Sequence, residues 1–424
     1  MNQVIDRKYQ RRMTLLLSLT FGVVLFDRNA ASFLSPFIAA DLHLNFTQVG
    51  LLSSGLALTW AIAGMLGGVV SDRTNSRKVP LTICIVAFSV CSLLSGMAAS
   101  FAMLLSARLL MGIAEGPILP ICQALVSQQS TDENRGHNMG VTHTAGSALL
   151  GSFLAPIVLV PIAQAFGWHG AMYLAAAPGL LMAALVWKVV REPAVAVHDA
   201  SAISGQPTGF LQVFAFRNIL LSIVVSVCIV AFVIIGWVFM PQYYTEVLGF
   251  SPGTMSRMMS LLGLSNAIYA FIVPRLSDHI GRKPVIIATC FIGFIIPFSL
   301  LSWHGSALLL APLIFVGACV GGAMSLFMGI VPSETVPARL VATAVALVIG
   351  VAEIVGGVSG PTLAGMAADH WGLRAPMWIT AGCLVVAIIA ACAMKETAPR
   401  AVAKRRARDA RLASAPPAGP LTRP

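Results

Sequence analysis

Apolar runs of roughly 20 residues follow one another along nearly the whole chain, and each is long enough to cross the hydrocarbon core of a bilayer. They fall near 13–40, 47–71, 79–99, 101–126, 138–163, 170–190, 218–244, 252–276, 284–303, 306–331, 337–366 and 372–394. Lipid offers no water to backbone N–H and C=O groups, so segments of this length must satisfy their own polar groups as helices. A β-barrel would instead show short alternating segments, which are absent. The composition agrees: 57% of residues are hydrophobic and 10% are charged, against roughly a quarter charged in soluble domains. The expected fold class is an all-α membrane protein with twelve transmembrane helices.

The formal net charge is +11, and its distribution points away from nucleic acid. Basic residues gather in the N-terminal tail (Arg7, Lys8, Arg11, Arg12), in alternate loops (Arg73, Arg77, Lys78, Arg135, Lys188, Arg191, Arg275, Arg282, Lys283, Arg339) and in the C-terminal tail from Lys395. The intervening loops hold Arg374. The positive-inside rule then places both termini in the cytoplasm, joined by an even number of spans. The basic tail is expected to anchor topology and attract anionic lipid. The eight cysteines all lie in apolar runs without metal-ligand spacing, and read as packing residues. No cleavable signal is expected before the first span.

The chain repeats itself. Asp72-Arg73-Thr74-Asn75-Ser76-Arg77-Lys78 follows the second span, and Asp278-His279-Ile280-Gly281-Arg282-Lys283 follows the eighth. In the fifth span Arg135, Gly146, Pro156 and Gly167-Trp168 are mirrored in the eleventh by Arg339, Gly350, Pro361 and Trp371-Gly372. The stretch 192–217, with Ser201, Ser204, Gly205, Pro207 and Gly209, has a linker composition. These features predict a cytoplasmic tail (1–12), a six-helix bundle (13–191), a cytoplasmic linker (192–217), a second pseudo-symmetric six-helix bundle (218–394) and a basic tail (395–424). Asp72, Arg73, Arg77, Asp278 and Arg282 are candidates for a gate on the cytoplasmic side. There a carboxylate at a helix end can pair across a tight turn, with Asn75 and Gly281 where positive φ is needed.

Six charged residues fall more than two residues inside predicted spans: Asp27, Arg28, Arg108, Glu115, Arg257 and Glu353. Each opposes insertion by roughly 2.5–3.5 kcal/mol, so they must face a cavity or one another, with Arg257 close enough to its helix end to snorkel. Asp27 and Arg28 point about 100° apart, while Arg108 and Glu115 are two turns apart on one face, roughly 10 Å along the axis. Gly112, Gly116, Pro117 and Pro120 beside them favour close approach and a bend.

The loop pattern Gly68-x-x-x-Asp72-Arg73-x-Asn75-x-Arg77-Lys78 resembles the signature of the major facilitator superfamily, with Asn75 where Gly is usual; in the second copy Pro274 stands where the leading Gly would. Asp27-Arg28 with Arg108-x-x-x-Gly112-x-x-Glu115-x-x-x-x-Pro120 resembles its anion:cation symporter branch. That resemblance implies a secondary transporter, not an enzyme, taking up a small organic anion (an aromatic or sugar carboxylate) with protons by alternating access. It implies that Arg28 binds the substrate carboxylate, that Asp27 and Glu115 carry the coupling proton, and that Arg108 tunes Glu115. The branch usually has Tyr where Trp60 stands, and Gln and Pro where Gly64 and Leu66 stand. His143 and Glu353 are not typical of it.

Trp60, His143 and Trp237 join the arginines as candidate substrate contacts, and Glu353 joins the acids as a candidate coupling site. Trp60, Phe232, Trp237, Phe239, Tyr243, Tyr244 and Phe327 supply aromatic surface suited to an apolar acid, or to ordinary packing and the interfacial belt. The expected partners are the organic anion, protons and the bilayer of a bacterial inner membrane, with no cofactor, metal or nucleic acid, and the carrier is expected to be a monomer. A proton-driven exporter is the alternative. Gly356-x-x-x-Gly360-Pro361-x-x-x-Gly365 resembles an antiporter motif, displaced from the fifth span, where Gly151-x-x-x-Ala155-Pro156 is a weaker version.

Overall fold

The structure, a computed structural model, describes residues 7–73, 76–131, 134–192, 212–337 and 340–399, without the side chains of 67–73. The side chains of the predicted gate residues Asp72 and Arg73, most of the 192–217 linker and the tail beyond 399 therefore lie outside what is described. Among the described residues there are no strands, and eleven apolar helical stretches are long enough to cross a membrane.

The longest stretch, Arg135–Val189, has 55 residues. At 1.5 Å per residue it would run about 80 Å, far beyond a bilayer core of about 30 Å. It turns back at Gly167, whose φ of 75° lies where only glycine is at ease. This stretch supplies the fifth and sixth spans, and the crossings come to twelve. The others are Arg7–Phe33, Phe46–Arg73, Lys78–Gly96, Phe101–Gln128, Arg217–Val247, Pro252–Ile280, Arg282–Ser302, Ala307–Thr335, Val341–Trp371 and Arg374–Ala393. The first helix starts inside the segment expected to be a tail.

Prolines set the irregularities. The fourth span stops as a helix at Glu115 and resumes at Ile118, with Gly116 and Pro117 between. The fifth and eleventh spans widen into π-helix at Ser147–Leu154 and Ala352–Ser359, each just before Ala155-Pro156 or Gly360-Pro361. Proline removes a helical hydrogen bond and crowds the preceding turn, which a wider turn accommodates. The irregularity recurs at equivalent places in the two halves, as the sequence repeat does.

At the end away from the basic loops the two halves are fastened together. Gly50 of the second span lies against the Pro361 carbonyl of the eleventh, and Gly365 lies against that of Phe46. Gly263 of the eighth meets the Ser152 carbonyl of the fifth. A Cβ at any of the three would collide with backbone, so glycine is what permits this approach. Hydrogen bonds add to it: Ser256 Oγ donates to the Pro156 carbonyl (2.7 Å) and Thr362 Oγ1 to Ser54 Oγ (2.8 Å). The Asp369 carboxylate, on the eleventh span, accepts from the backbone N–H groups of Phe46 (2.8 Å) and Thr47 (3.0 Å) and from the Thr47 hydroxyl. It thereby caps the second span from the other half.

Candidate functional site

A cavity of about 350 Å³ lies between the halves. The first span contributes Arg28, Asn29 and Ser32, the second Ser53, the fourth Arg108 and the fifth Ser152. Asn29 is held by its Nδ2, which donates to the Gly151 carbonyl in the π-helical stretch (3.0 Å). The opposite wall is Val233, Ile234, Trp237 and Val238 of the seventh span, Asn266 of the eighth, and Gly321 and Met324 of the tenth.

Arg28 is half-buried, with its guanidinium 4.8 Å from the centre of the Trp60 ring. A cation over an indole face is attracted by the ring quadrupole, so Trp60 holds the head in place without neutralising it. Arg28 makes no ion pair among the described residues. Trp237 faces the cavity with its ring 5.5 Å from Phe33, which is fully buried.

Arg108 belongs to a buried charged group that extends from this wall into the first half. Asp27 is fully buried and accepts from Ser92 Oγ at 2.7 Å, its second oxygen finding no partner. Arg108 is 1% exposed. It donates to the Arg28 carbonyl (3.4 Å) and to the thioether sulfurs of Met111 (3.5 Å) and Met172 (3.6 Å). Glu115 is fully buried and neither of its oxygens has a hydrogen-bond partner among the described residues. No ion pair within 4 Å joins these four residues, and the hydrogen bonds that Asp27 and Arg108 do make are to neutral partners. Small residues make this arrangement possible: Gly112 seats on the Leu56 carbonyl and the Thr59 hydroxyl, and Gly116 on the Trp60 carbonyl and the Gly64 amide.

The remaining candidates are placed differently. His143 is exposed and stacks on Phe21 with centroids 5.7 Å apart, and it is not among the cavity-lining residues. Glu353 sits half-buried in the π-helical stretch of the eleventh span, also outside the lining. Tyr243, Tyr244, Phe239 and Phe327 are buried packing residues, with Tyr243 donating to the Leu300 carbonyl (3.0 Å). Arg257 is exposed and bonds to the Gly253 carbonyl and Thr254 hydroxyl of its own helix. Of the antiporter-like motif, Gly356 and Gly360 pack on the seventh span, at Val227 and Ala231, and Gly365 packs on the second.

At the basic end, Arg282 pairs with Asp278 (2.6 Å) and with Glu334 (2.9 Å), both in its own half. Gly281 takes the positive φ expected of it, 120°. Two carboxylates that sequence reasoning passed over complete these turns. Glu396 accepts from the backbone N–H groups of Arg282 (2.8 Å) and Lys283 (3.1 Å), and Glu192 does the same for Arg77 and for Lys78 (3.1 Å). Each caps the helix after the loop motif from the far end of its own half.

A family model for the Major Facilitator Superfamily matches residues 16–349 and 235–423. The chain belongs to this superfamily. It is 25% identical to a probable 4-methylmuconolactone transporter of Cupriavidus pinatubonensis, over 94% of this chain and 93% of that protein. It is 27% identical to a gallate transporter of Pseudomonas putida, over 86% and 88%. It is 37% identical to a hexuronate transporter of Bacillus subtilis, over a stretch that covers 42% of each chain, less than half of that relative. Among solved structures, a D-xylose-proton symporter superposes over 91% of this chain and 98% of its own, with a TM-score of 0.70 at 19% identity. That likeness establishes the fold. This facilitator is a multi-pass membrane transporter, and the three relatives just described are named for hexuronate, 4-methylmuconolactone and gallate.

Proposed function

We propose that this facilitator takes up a small organic carboxylate together with protons, by alternating access, across a bacterial inner membrane. The observation that carries the reading is Arg28: a guanidinium in the central cavity, held on an indole face, with no ion-pair partner among the described residues, next in the chain to the fully buried Asp27. A carboxylate entering the cavity would gain a charge-assisted contact there, bidentate if it meets the guanidinium fork.

Charge balance then gives the coupling. With Asp27 and Glu115 both ionised, the buried group of Asp27, Arg28, Arg108 and Glu115 is neutral. A carboxylate anion alone would leave it with one net negative charge in a low-dielectric interior, which is strongly opposed. If one acid takes a proton as the anion binds, neutrality is kept. Glu115, with no donor to either oxygen, is the acid placed to do so, and Arg108 tunes it. Proton and anion therefore move together, and both bias one two-state equilibrium.

His143 and Glu353 are assigned secondary proton or substrate contacts. Asp72, Arg73, Arg77, Asp278 and Arg282 are assigned to a gate on the cytoplasmic side. The 13–191 and 218–394 bundles rock about the cavity as a monomer, with both termini cytoplasmic. By that orientation the end closed around Gly50, Pro361 and Asp369 faces outward. The test is uptake of labelled carboxylates, gallate among them, into proteoliposomes. An inward proton gradient should drive accumulation. Accumulation driven only by the reversed gradient would indicate an exporter, and no gradient dependence would end the symport reading.

A further inference from the structure

The two walls of the cavity differ in chemistry. The wall from the first half carries both arginines with Asn29 and several serines, whereas the wall from the second half is apolar and aromatic except for one side chain, Asn266. Asn266 has no hydrogen-bond partner among the described residues. Its carboxamide lies against Gly321 of the tenth span, and a Cβ at 321 would strike its Oδ1. Glycine at 321 is thus what leaves the carboxamide room in the wall. Beyond it, between Asn266, Trp237, Phe232, Leu262 and Val320, is a second cavity of about 20 Å³. That space takes one water-sized group, since a water needs at least about 10–15 Å³ of such volume. The carboxamide offers two donors and an acceptor at the junction of the two cavities.

We propose that Asn266, seated on Gly321, is a specificity-determining residue. It reads a single hydrogen-bonding substituent, a hydroxyl or carbonyl, at the far end of a flat monocyclic acid. This rests on the reading that Arg28 holds the carboxylate. The ring then lies against Trp237, Val233 and Ile234, and the substituent projects toward the small side cavity. A sugar acid fits this arrangement poorly. It carries hydroxyls around its whole rim, and those turned toward the second half would face hydrocarbon with one carboxamide among them, losing water without replacement. An unsubstituted ring would leave the Asn266 carboxamide buried and unpaired, which a site built to hydrogen-bond rejects.

The experiment is binding to the full-length carrier in proteoliposomes, with benzoate, 4-hydroxybenzoate, 3-hydroxybenzoate and D-glucuronate as probes. For the wild type, one hydroxybenzoate should bind at least about tenfold more tightly than benzoate, and glucuronate should bind most weakly. Asn266→Leu should bring the hydroxybenzoate-to-benzoate ratio to within about twofold of one. Gly321→Ala, which displaces the carboxamide without removing it, should collapse the ratio in the same direction and serves if Asn266→Leu fails to fold. A ratio that survives either folded variant overturns the assignment, as does glucuronate binding best or no probe binding at all. Arg28→Ala separates the two readings. If it binds the aromatic acids as the wild type does while Asn266→Leu still erases the hydroxyl preference, the role of Arg28 is wrong and that of Asn266 stands.

Discussion

Asp369→Ala removes the carboxylate by which one half caps a helix of the other. Three hydrogen bonds go with it: those from the Phe46 and Thr47 backbone N–H groups and from the Thr47 hydroxyl. A hydrogen bond to a charged group is worth about 1.5–3 kcal/mol, and a carboxylate at a helix N-terminus adds about 0.3–1 kcal/mol. Asp369 is exposed, so water replaces much of this, and the net loss should be about 1.5 kcal/mol. Since 1.4 kcal/mol is tenfold, the ratio of carriers closed at this end to carriers open at it should fall about tenfold. The packing of Gly50 on Pro361 and Gly365 on Phe46 remains, so the closed form should weaken without vanishing. The assay is a spin-label distance distribution between His43 and Trp371, which are exposed on the two sides of this contact. A longer-distance population should grow in Asp369→Ala without substrate. A distribution identical to that of the parent would show that the carboxylate does not hold this end shut.

Further outcomes follow from the same geometry. Gly50→Val would place a branched side chain against the Pro361 carbonyl, and should cut transport by tenfold or more while leaving the protein folded in detergent, read by uptake and size-exclusion profile. Arg28→Lys keeps the charge but loses the planar fork, so carboxylate affinity should drop about tenfold, with a larger loss in Arg28→Ala; equal affinities in the two would argue against a bidentate contact. Arg282→Ala leaves Asp278 and Glu334 without their shared cation, and should lower the thermal midpoint by a few degrees. The double variant with Glu334→Gln should recover part of that loss.

The twelve crossings were legible because length and hydropathy alone decide whether a segment can live in lipid. The break in the fourth span was legible too, because Gly116 and Pro117 cannot continue a helix unaided. The four charges of the first half stood out because charge in a span is costly. Other features were hidden for physical reasons. Ser92 and Asn266 are ordinary polar residues in membrane helices, and only the packing shows that one bonds Asp27 and the other stands alone in an apolar wall. Asp369, Glu192 and Glu396 act on backbone N–H groups brought near by tertiary structure, which no local pattern records. The partners of the buried charges were hidden in the same way: the helical spacing of Asp27, Arg28, Arg108 and Glu115 fixes the direction of each side chain and not what it touches.

The central claim is that an acid behind the cavity exchanges a proton as the anion binds, and Glu115→Gln tests it most directly. The amide keeps the shape of the protonated acid and removes the titration. One pH unit supplies about 1.4 kcal/mol per proton, so the parent should concentrate substrate roughly tenfold more for each unit of inward gradient. In the same vesicles, Glu115→Gln should retain substrate counterflow and lose gradient-driven accumulation. Accumulation that persists in Glu115→Gln would contradict the assignment and move the coupling to another acid.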